Sequence, residues 1–323
     1  MTTSTRSAPS RLPDAITDPA TGQRISLLDW QAGNMRASWL LGAGVVLMLV
    51  AIAYLVALAL EPGAALFFVV IAVVVATGMT FAAYWFSDKM ALAASGARAA
   101  TREEHRYLVN VTEAVSLGAG VPVPRIFVID SPAPNAFATG RDPKHGVVAV
   151  TTGLLDLLDR QELEGVVAHE LAHIRNYDIR FASLLAATVG AVVLMRDVIL
   201  RAMRFGGARG RGRSSGGGKG QALAMVALVV LLIVAPILAT LLRMAVSRRR
   251  EYLADATGAY ITRNPEGLAS ALEKLRDFSG ERLQVSEGVQ HMFFVNPLAK
   301  RNAHGLFSTH PPIQERIDRL RRV

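Results

Sequence analysis

The residues best suited to chemistry stand in one five-residue stretch, His169-Glu170-Leu171-Ala172-His173. Two histidines at i and i+4 on a helix project from the same face about one turn apart, so both imidazoles can reach one metal ion. Asp159-Arg160-Gln161-Glu162 just upstream has the pattern of a capping box and places a helix start there. Val166, Val167 and Leu171 give that helix apolar packing around its polar face. Imidazoles and a carboxylate buried there without a partner would be costly, and a zinc ion supplies the partner. Glu170, between the histidines, does not bind the metal in this motif. It accepts a proton from the attacking water and passes it to the leaving amine, while zinc makes water more acidic and polarises the scissile carbonyl.

Two histidines leave zinc one protein ligand short. Glu251 in Arg248-Arg249-Arg250-Glu251-Tyr252-Leu253-Ala254-Asp255 is the best candidate, and Asp255 follows it at i+4 on the same face. A carboxylate ligand, with a second carboxylate on the far nitrogen of a ligand histidine, is the expected arrangement around such an ion. Taken alone, the same residues also read as a solvated charged helix.

Positioning these residues is the task of a chain of 323 residues that is 51% hydrophobic, with a formal net charge of +9 and no cysteine. The missing cysteine excludes a disulfide framework, a thiolate metal site and a cysteine nucleophile. The basic residues sit mostly beside apolar runs, as expected for contacts with anionic lipid headgroups, and no nucleic-acid-binding motif accompanies them. The apolar content exceeds what a soluble core of this size needs, so part of the surface is expected to face lipid.

Residues 1–38 are polar and read as a partly disordered N-terminal tail, and no signal peptide is expected. Trp39 to Leu60 and Ala64 to Phe86 are apolar runs joined by Glu61-Pro62-Gly63, each long enough to cross a bilayer core of roughly 30 Å. Together, 39–86 predict a transmembrane hairpin, with Trp39, Tyr84 and Trp85 at its ends where interfacial aromatics belong. Residues 87–180 form a first soluble part. A helix is expected over Ala99–Leu117 and strands over Arg125–Ile129 and Gly146–Val150, with a third short strand near Pro134–Gly140. Residues 181–244 hold two further apolar runs around a Gly/Arg-rich loop at 201–220. Basic residues beside both ends of the first hairpin place those ends in the cytoplasm. Four full crossings would then put the basic 201–220 loop outside, so either the positive-inside tendency is overridden or the second pair does not cross fully. Residues 245–323 are soluble again, with helices expected at Arg248–Ile261, Pro265–Phe278 and Pro311–Arg322.

These separated motifs together resemble the M48 family of membrane metallopeptidases. The resemblance is carried by His169 to His173, Asp178 and the stretch from Ser247 to Asp255. It is carried further by Asn135-Ala136-Phe137-Ala138-Thr139-Gly140, by Ser308-Thr309-His310-Pro311-Pro312 and by Arg316. The segments Asn135–Gly140 and Ser308–Pro312, with Arg316, are similar to the family's bacterial heat-shock-protease branch in particular. The resemblance covers the chain from about residue 35 and departs from it in the 201–220 loop and the polar tail. It implies a mainly α fold with a small β-sheet, that is, integral membrane helices plus a gluzincin-type zinc metallopeptidase domain. It implies one zinc per chain on His169, His173 and Glu251, with Glu170 as general base and acid and with Asp255 and Asp178 supporting the ligands. Asn135, Ala136 and Phe137 would belong to an edge strand that pairs with an extended substrate. His310 would lie near the site, either steadying the oxyanion or packing the last helix. Arg316 would fix the geometry of the site.

The resemblance thus implies a multi-pass cell-membrane endopeptidase with its active site facing the cytoplasm. It would act on unfolded or damaged membrane proteins, and would have the lipid bilayer but no nucleic acid as partner. A processing protease dedicated to one substrate class and a zinc-stabilised scaffold without turnover are the alternatives.

Overall fold

The computed structural model describes residues 15–17, 22, 24–60, 63, 65–182, 248–279, 293–294 and 311–322. His310, the loop at 201–220 and most of the apolar sequence between 181 and 244 lie outside the described residues.

The described chain is mostly helical with a small mixed sheet. Strands β1 (Ala15–Thr17) and β2 (Arg24–Ser26) pair antiparallel, and β2 leads directly into α1 (Leu27–Leu60). Helix α2 (Ala65–Ser95) returns against α1. Strand β3 (Arg98–Ala99) and α3 (Arg106–Ala119) follow; α3 stops at Gly120, whose φ of 65° is left-handed and suits a residue without a Cβ. Strands β4 (Arg125–Ile129), β5 (Ala136–Thr139) and β6 (Val147–Thr151) complete a sheet of order β3-β4-β6-β5. The β4–β6 pair is parallel and the β5–β6 pair antiparallel.

Helix α4 (Thr152–Leu157) turns the chain into α5 (Arg160–Arg175), which carries both histidines. Its capping box forms as the sequence predicts: Glu162 N–H donates to Asp159 Oδ1 at 3.0 Å and Asp159 N–H to Glu162 Oε2 at 2.8 Å. Helices α6 (Arg248–Thr262), α7 (Pro265–Asp277) and α8 (Ile313–Leu320) finish the described chain. Asn264 caps α7 by accepting from Gly267 N–H at 3.2 Å, with Pro265 in the first turn.

Period-two alternation gives the sheet two apolar faces. Ala136, Ala138, Val148 and Val150 pack with Val166, Val167 and Leu171 of α5 in the main core. Phe137, Val147 and Ala149 face the other way, onto Ala91 and Leu92 at the end of α2 and onto Phe293. The sheet is thereby wedged between the end of the α1–α2 hairpin and the histidine helix.

The N-terminal stretch differs from the expected tail. Residues 15–17 and 24–26 form a hairpin, and α1 begins at Leu27, well before Trp39. Leu27 is buried against Leu253 and Ala256 of α6. Its polar composition hid this order because its partners are distant in sequence: Gln31 and Asn34 hydrogen-bond to residues of the 175–178 turn.

The helices expected over 39–60 and 64–86 do form and pack together. Trp39 stacks on Tyr84 with centroids 6.3 Å apart, and the Arg180 guanidinium lies 5.0 Å and 4.9 Å from the two ring centres. Arg141 covers Trp85 at 4.4 Å. Among the described residues no single helix is long and apolar enough to cross a membrane. Val69–Ala82 and Tyr84–Ser95, bent by 60°, meet the length and composition only as a pair.

Candidate metal centre

Helix α5 presents His169 and His173 to α6, which presents Glu251 and, one turn later, Asp255. The two helices touch through backbone at Gly258, where an added Cβ would sit 3.1 Å from His169 N and 3.3 Å from its Cα. Glu251, Asp255 and Gly258 recur at i, i+4 and i+7, so the glycine and the two carboxylates share one face of α6. Gly258→Ala is expected to push α6 from α5 by a few tenths of an ångström, costing roughly 1–3 kcal/mol. Because the shift moves Glu251, metal affinity should fall along with the melting temperature, and titration with a competing chelator reads both effects when paired with thermal melts.

His169, Glu170 and Glu251 are all buried, and His173 nearly so. The Nε2 atoms of His169 and His173 stand 3.1 Å apart. Each is 3.8 Å from a Glu251 oxygen, Oε2 for His169 and Oε1 for His173. One ligand atom from each of the three lies within 4.8 Å of the others. Ligands held at about 2.0–2.2 Å around a tetrahedral ion are roughly 3.3–3.6 Å apart, so separations of 3.1 and 3.8 Å lie within a few tenths of an ångström of what one small metal ion requires.

The far nitrogens support the same reading. His169 Nδ1 lies 2.9 Å from Asp255 Oδ1, and His173 Nδ1 lies 2.9 Å from Asp178 Oδ2. With a carboxylate on each Nδ1, the proton belongs there and both Nε2 lone pairs turn towards one another. Two lone pairs at 3.1 Å repel unless a proton or a metal ion lies between them.

The electrostatics agree. Burial, opposed in part by the Asp255 hydrogen bond, holds the His169 imidazole down at about 4. Burial also works against charge on His173, but the hydrogen bond to Asp178 and the Glu251 carboxylate outweigh it and lift that ring to about 9. Positive charge is thus favoured at His173 Nε2, the point facing Glu251. Burial pushes the Glu170 carboxyl up to about 7, with His173 pulling it down and Glu251 pushing it further up; the Ala138 backbone hydrogen-bonds to it.

Asp255 is held by Arg316, itself buried on α8. Arg316 donates Nε–H to Oδ2 at 2.9 Å and Nη2–H to Oδ1 at 2.6 Å. Against the burial that raises it, this pairing keeps the Asp255 carboxyl below its usual range. Asp178 is held differently. Tyr177 takes a left-handed φ of 60°, which turns the chain back after α5 so that Asp178 reaches the ring of His173. Arg250 Nε lies 3.0 Å from Asp178 Oδ1. Arg250 therefore turns towards the site, although Arg248 to Arg250 also read in sequence as lipid-headgroup or cleft residues.

The substrate-edge residues require a correction. Strand β5 is the outermost of its sheet, as expected. The edge at Ala136 and Phe137 is already used within the chain: Phe137 bridges to Phe293, and Phe294 N–H donates to the Ala136 carbonyl at 2.7 Å. Ala136 N–H donates to Asn135 Oδ1 at 3.0 Å, and the Asn135 carbonyl faces β6 by accepting from Thr151 N–H at 2.9 Å. An extended partner would have to pair further along, from Ala138 towards Gly140, or displace Phe294. His310, the remaining sequence candidate, lies outside the described residues.

Sequence reasoning missed Phe294, whose ring sits edge-on to His169 at 4.9 Å and under the Arg316 guanidinium at 4.8 Å. It also missed Asn34, and it placed Arg250 in the cleft only beside a lipid-headgroup reading. For Arg250 a signal existed, since it adjoins Glu251; for Asn34 and Phe294 nothing in the local pattern pointed to the site.

The model of peptidase family M48 matches residues 102–323. A protein named protease HtpX homolog from Thermoanaerobacter pseudethanolicus is 43% identical over 298 residues, covering 92% of this chain and 98% of that one. The protein of the same name from Caldanaerobacter subterraneus subsp. tengcongensis is 45% identical over 297 residues, or 92% and 97% of the two chains. Among solved structures, the crystal structure of S. mikatae Ste24p matches with a TM-score of 0.46 at 19% identity, covering 91% of this chain and 67% of that one.

Proposed function

The chain belongs to peptidase family M48, and from that premise we propose that it is a membrane-embedded zinc endopeptidase that cleaves unfolded or damaged membrane proteins in proteolytic quality control. The observation that carries the reading is the convergence of His169, His173 and Glu251 on one point, with the buried carboxyl of Glu170 next to the first of them. Two imidazoles and one carboxylate are the donor set of catalytic rather than structural zinc, since they leave a coordination position open. Zinc bound there supplies Lewis acidity, which polarises a peptide carbonyl and makes water easier to deprotonate. Glu170 takes the proton from the attacking water and hands it to the leaving amine. Asp255 and Asp178 keep each imidazole in the tautomer that offers Nε2. A stretched substrate chain pairs with the β5 edge beyond Ala136, which reads main chain more than side chain and suits broad specificity.

The membrane location is supported by what α1 and α2 expose. Leu40, Leu47, Leu66, Phe67, Val74 and Phe81 are all more than 60% exposed, an apolar surface that water would not tolerate on a monomer. Trp39, Tyr84 and Trp85, with Arg180 and Arg141 over them, suit the headgroup level. Arg36 and Lys89 lie near the same end of the hairpin and favour a cytoplasmic active site.

Purification in detergent with a chelator, followed by zinc add-back, tests this reading. The stripped protein should be inactive, take up one zinc per chain, and then cut an unfolded membrane protein at several positions. Zinc uptake with no cleavage of any unfolded chain would instead indicate a scaffold. A single cut in a single substrate would indicate a dedicated processing enzyme.

A further inference from the structure

Helix α1 reaches the metal centre from outside the segment that the family model matches, and the group that touches Asp178 is one buried amide. We propose that Asn34 is a positioning residue for the His173 side of the site, and so makes the N-terminal membrane helix part of the metal-binding apparatus; this rests on the reading of His169, His173 and Glu251 as metal ligands.

Asn34 is 6% exposed and its amide is fully used. Nδ2 donates to Asp178 Oδ1 at 2.6 Å and to the Asn176 carbonyl at 2.8 Å. Oδ1 faces Arg250 Nη2 at 3.5 Å. The other oxygen of Asp178 meets His173 Nδ1 at 2.9 Å. One amide thus joins three elements: the turn after α5, the arginine beside Glu251 on α6, and α1 itself.

The turn needs this support. Tyr177 is left-handed, a conformation that crowds a residue with a Cβ. Asn34 bonds the residues on either side of it. One turn earlier, Gln31 Nε2 donates to the Arg175 carbonyl at 3.0 Å. Helix α1 therefore grips the backbone at 175 and 176 and the side chain at 178, while Leu27 anchors the same helix on Leu253 and Ala256. Five residues beyond Asn34, at Trp39, the apolar run begins. Because one continuous helix carries both, the seating of α1 in its surroundings is transmitted to the carboxylate that orients His173.

The role predicts more than a loss of stability. Groups that hold a metal ligand through its far nitrogen typically govern affinity by 10–100-fold, and Asn34 acts one bond further away. In full-length protein in detergent, Asn34→Leu should weaken zinc binding about tenfold in competition with a chromogenic chelator. Asp178→Asn should weaken it at least as much, and the double variant should be no weaker than Asp178→Asn alone, because both changes act through one carboxylate. If Asn34→Leu does not fold, Asn34→Asp serves: it is isosteric and replaces the donor facing Asp178 with an acceptor. Leu275→Ala, a packing loss on α7 away from Asn34 and Asp178, should lower the melting temperature and leave the affinity of the folded protein within about twofold. Zinc affinity unchanged in a folded Asn34 variant, or losses that multiply in the double variant, would overturn the proposal alone. Wild-type protein that binds no zinc would overturn the functional reading with it.

Discussion

Replacing Glu170 with glutamine should lower peptide cleavage by at least about a thousandfold while leaving zinc affinity within about twofold. Proton transfer by a placed side chain is worth roughly 10²–10⁴ in rate, and Glu170 is the one group in the motif that has no ligand role to lose. Its place on α5 between the two histidines puts it at the metal, and it is 2% exposed. Burial raises its carboxyl to about 7, with His173 acting the other way and Glu251 adding to the rise. A base in that range gains and releases a proton readily near neutral pH, which the two transfers of peptide hydrolysis require. Glutamine keeps the volume and the oxygen that faces the Ala138 backbone, so the helix and the β5 edge stay in register. It cannot take a proton. Single-turnover cleavage of a quenched fluorogenic peptide, with zinc content measured on the same sample, gives both numbers. A zinc-loaded variant with a tenth of wild-type activity would remove Glu170 from the chemistry.

What the sequence could disclose follows the range of the interactions. The α5 start was legible because a capping box is local: Asp159 and Glu162 satisfy each other across one turn. Strands β4 and β6 were legible from their apolar runs and flanking turn residues, and α7 from Asn264-Pro265. His169 and His173 are paired by helical spacing alone. Glu251 and Asp255 needed a second helix to be placed against the first, and only the resemblance to a family supplied that, since no periodicity says which carboxylate among many will face α5. The glycine that permits the approach, Gly258, is unremarkable in sequence and decisive in space. The start of the N-terminal helix, from Leu27 to Ser38, was illegible for the same reason. Asn34 and Gln31 are satisfied by atoms more than 140 residues away, so a polar composition that reads locally as a tail is, in three dimensions, a set of fitted contacts. The edge of β5 shows the converse: the strand was legible from the bracketing Pro134 and Gly140 and its outer position from the resemblance, but its occupation by Phe293 and Phe294 was not.

Arg316→Met is expected to be the most destabilising single change at the site, by about 3–5 kcal/mol. The guanidinium is 1% exposed. It is bonded twice to Asp255 and lies 3.8 Å from Glu251 Oε2 and 4.8 Å from the centre of the Phe294 ring. Removing it leaves Asp255 buried with His169 as its remaining polar partner among the contacts described, and leaves Glu251 without that nearby cation. The cost is that of stranded carboxylates rather than of a lost attraction. Arg316→Lys keeps the charge but not the two-pronged fit and should fall between the two. For a domain of this size the methionine variant should melt roughly 10 °C or more below wild type, read on metal-free protein so that zinc binding does not mask it. The companion change separates the two duties of the pair. Arg316→Met with Asp255→Leu replaces a buried ion pair by apolar groups of similar bulk, which is often neutral for stability, so much of the loss should return. Metal affinity should not return, because His169 Nδ1 would then face no acceptor and Nε2 would no longer be fixed as the free nitrogen. A double variant that regained both stability and zinc would mean that Asp255 does not orient His169. One that regained neither would mean that Arg316 acts mainly through Phe294 and the packing of α8.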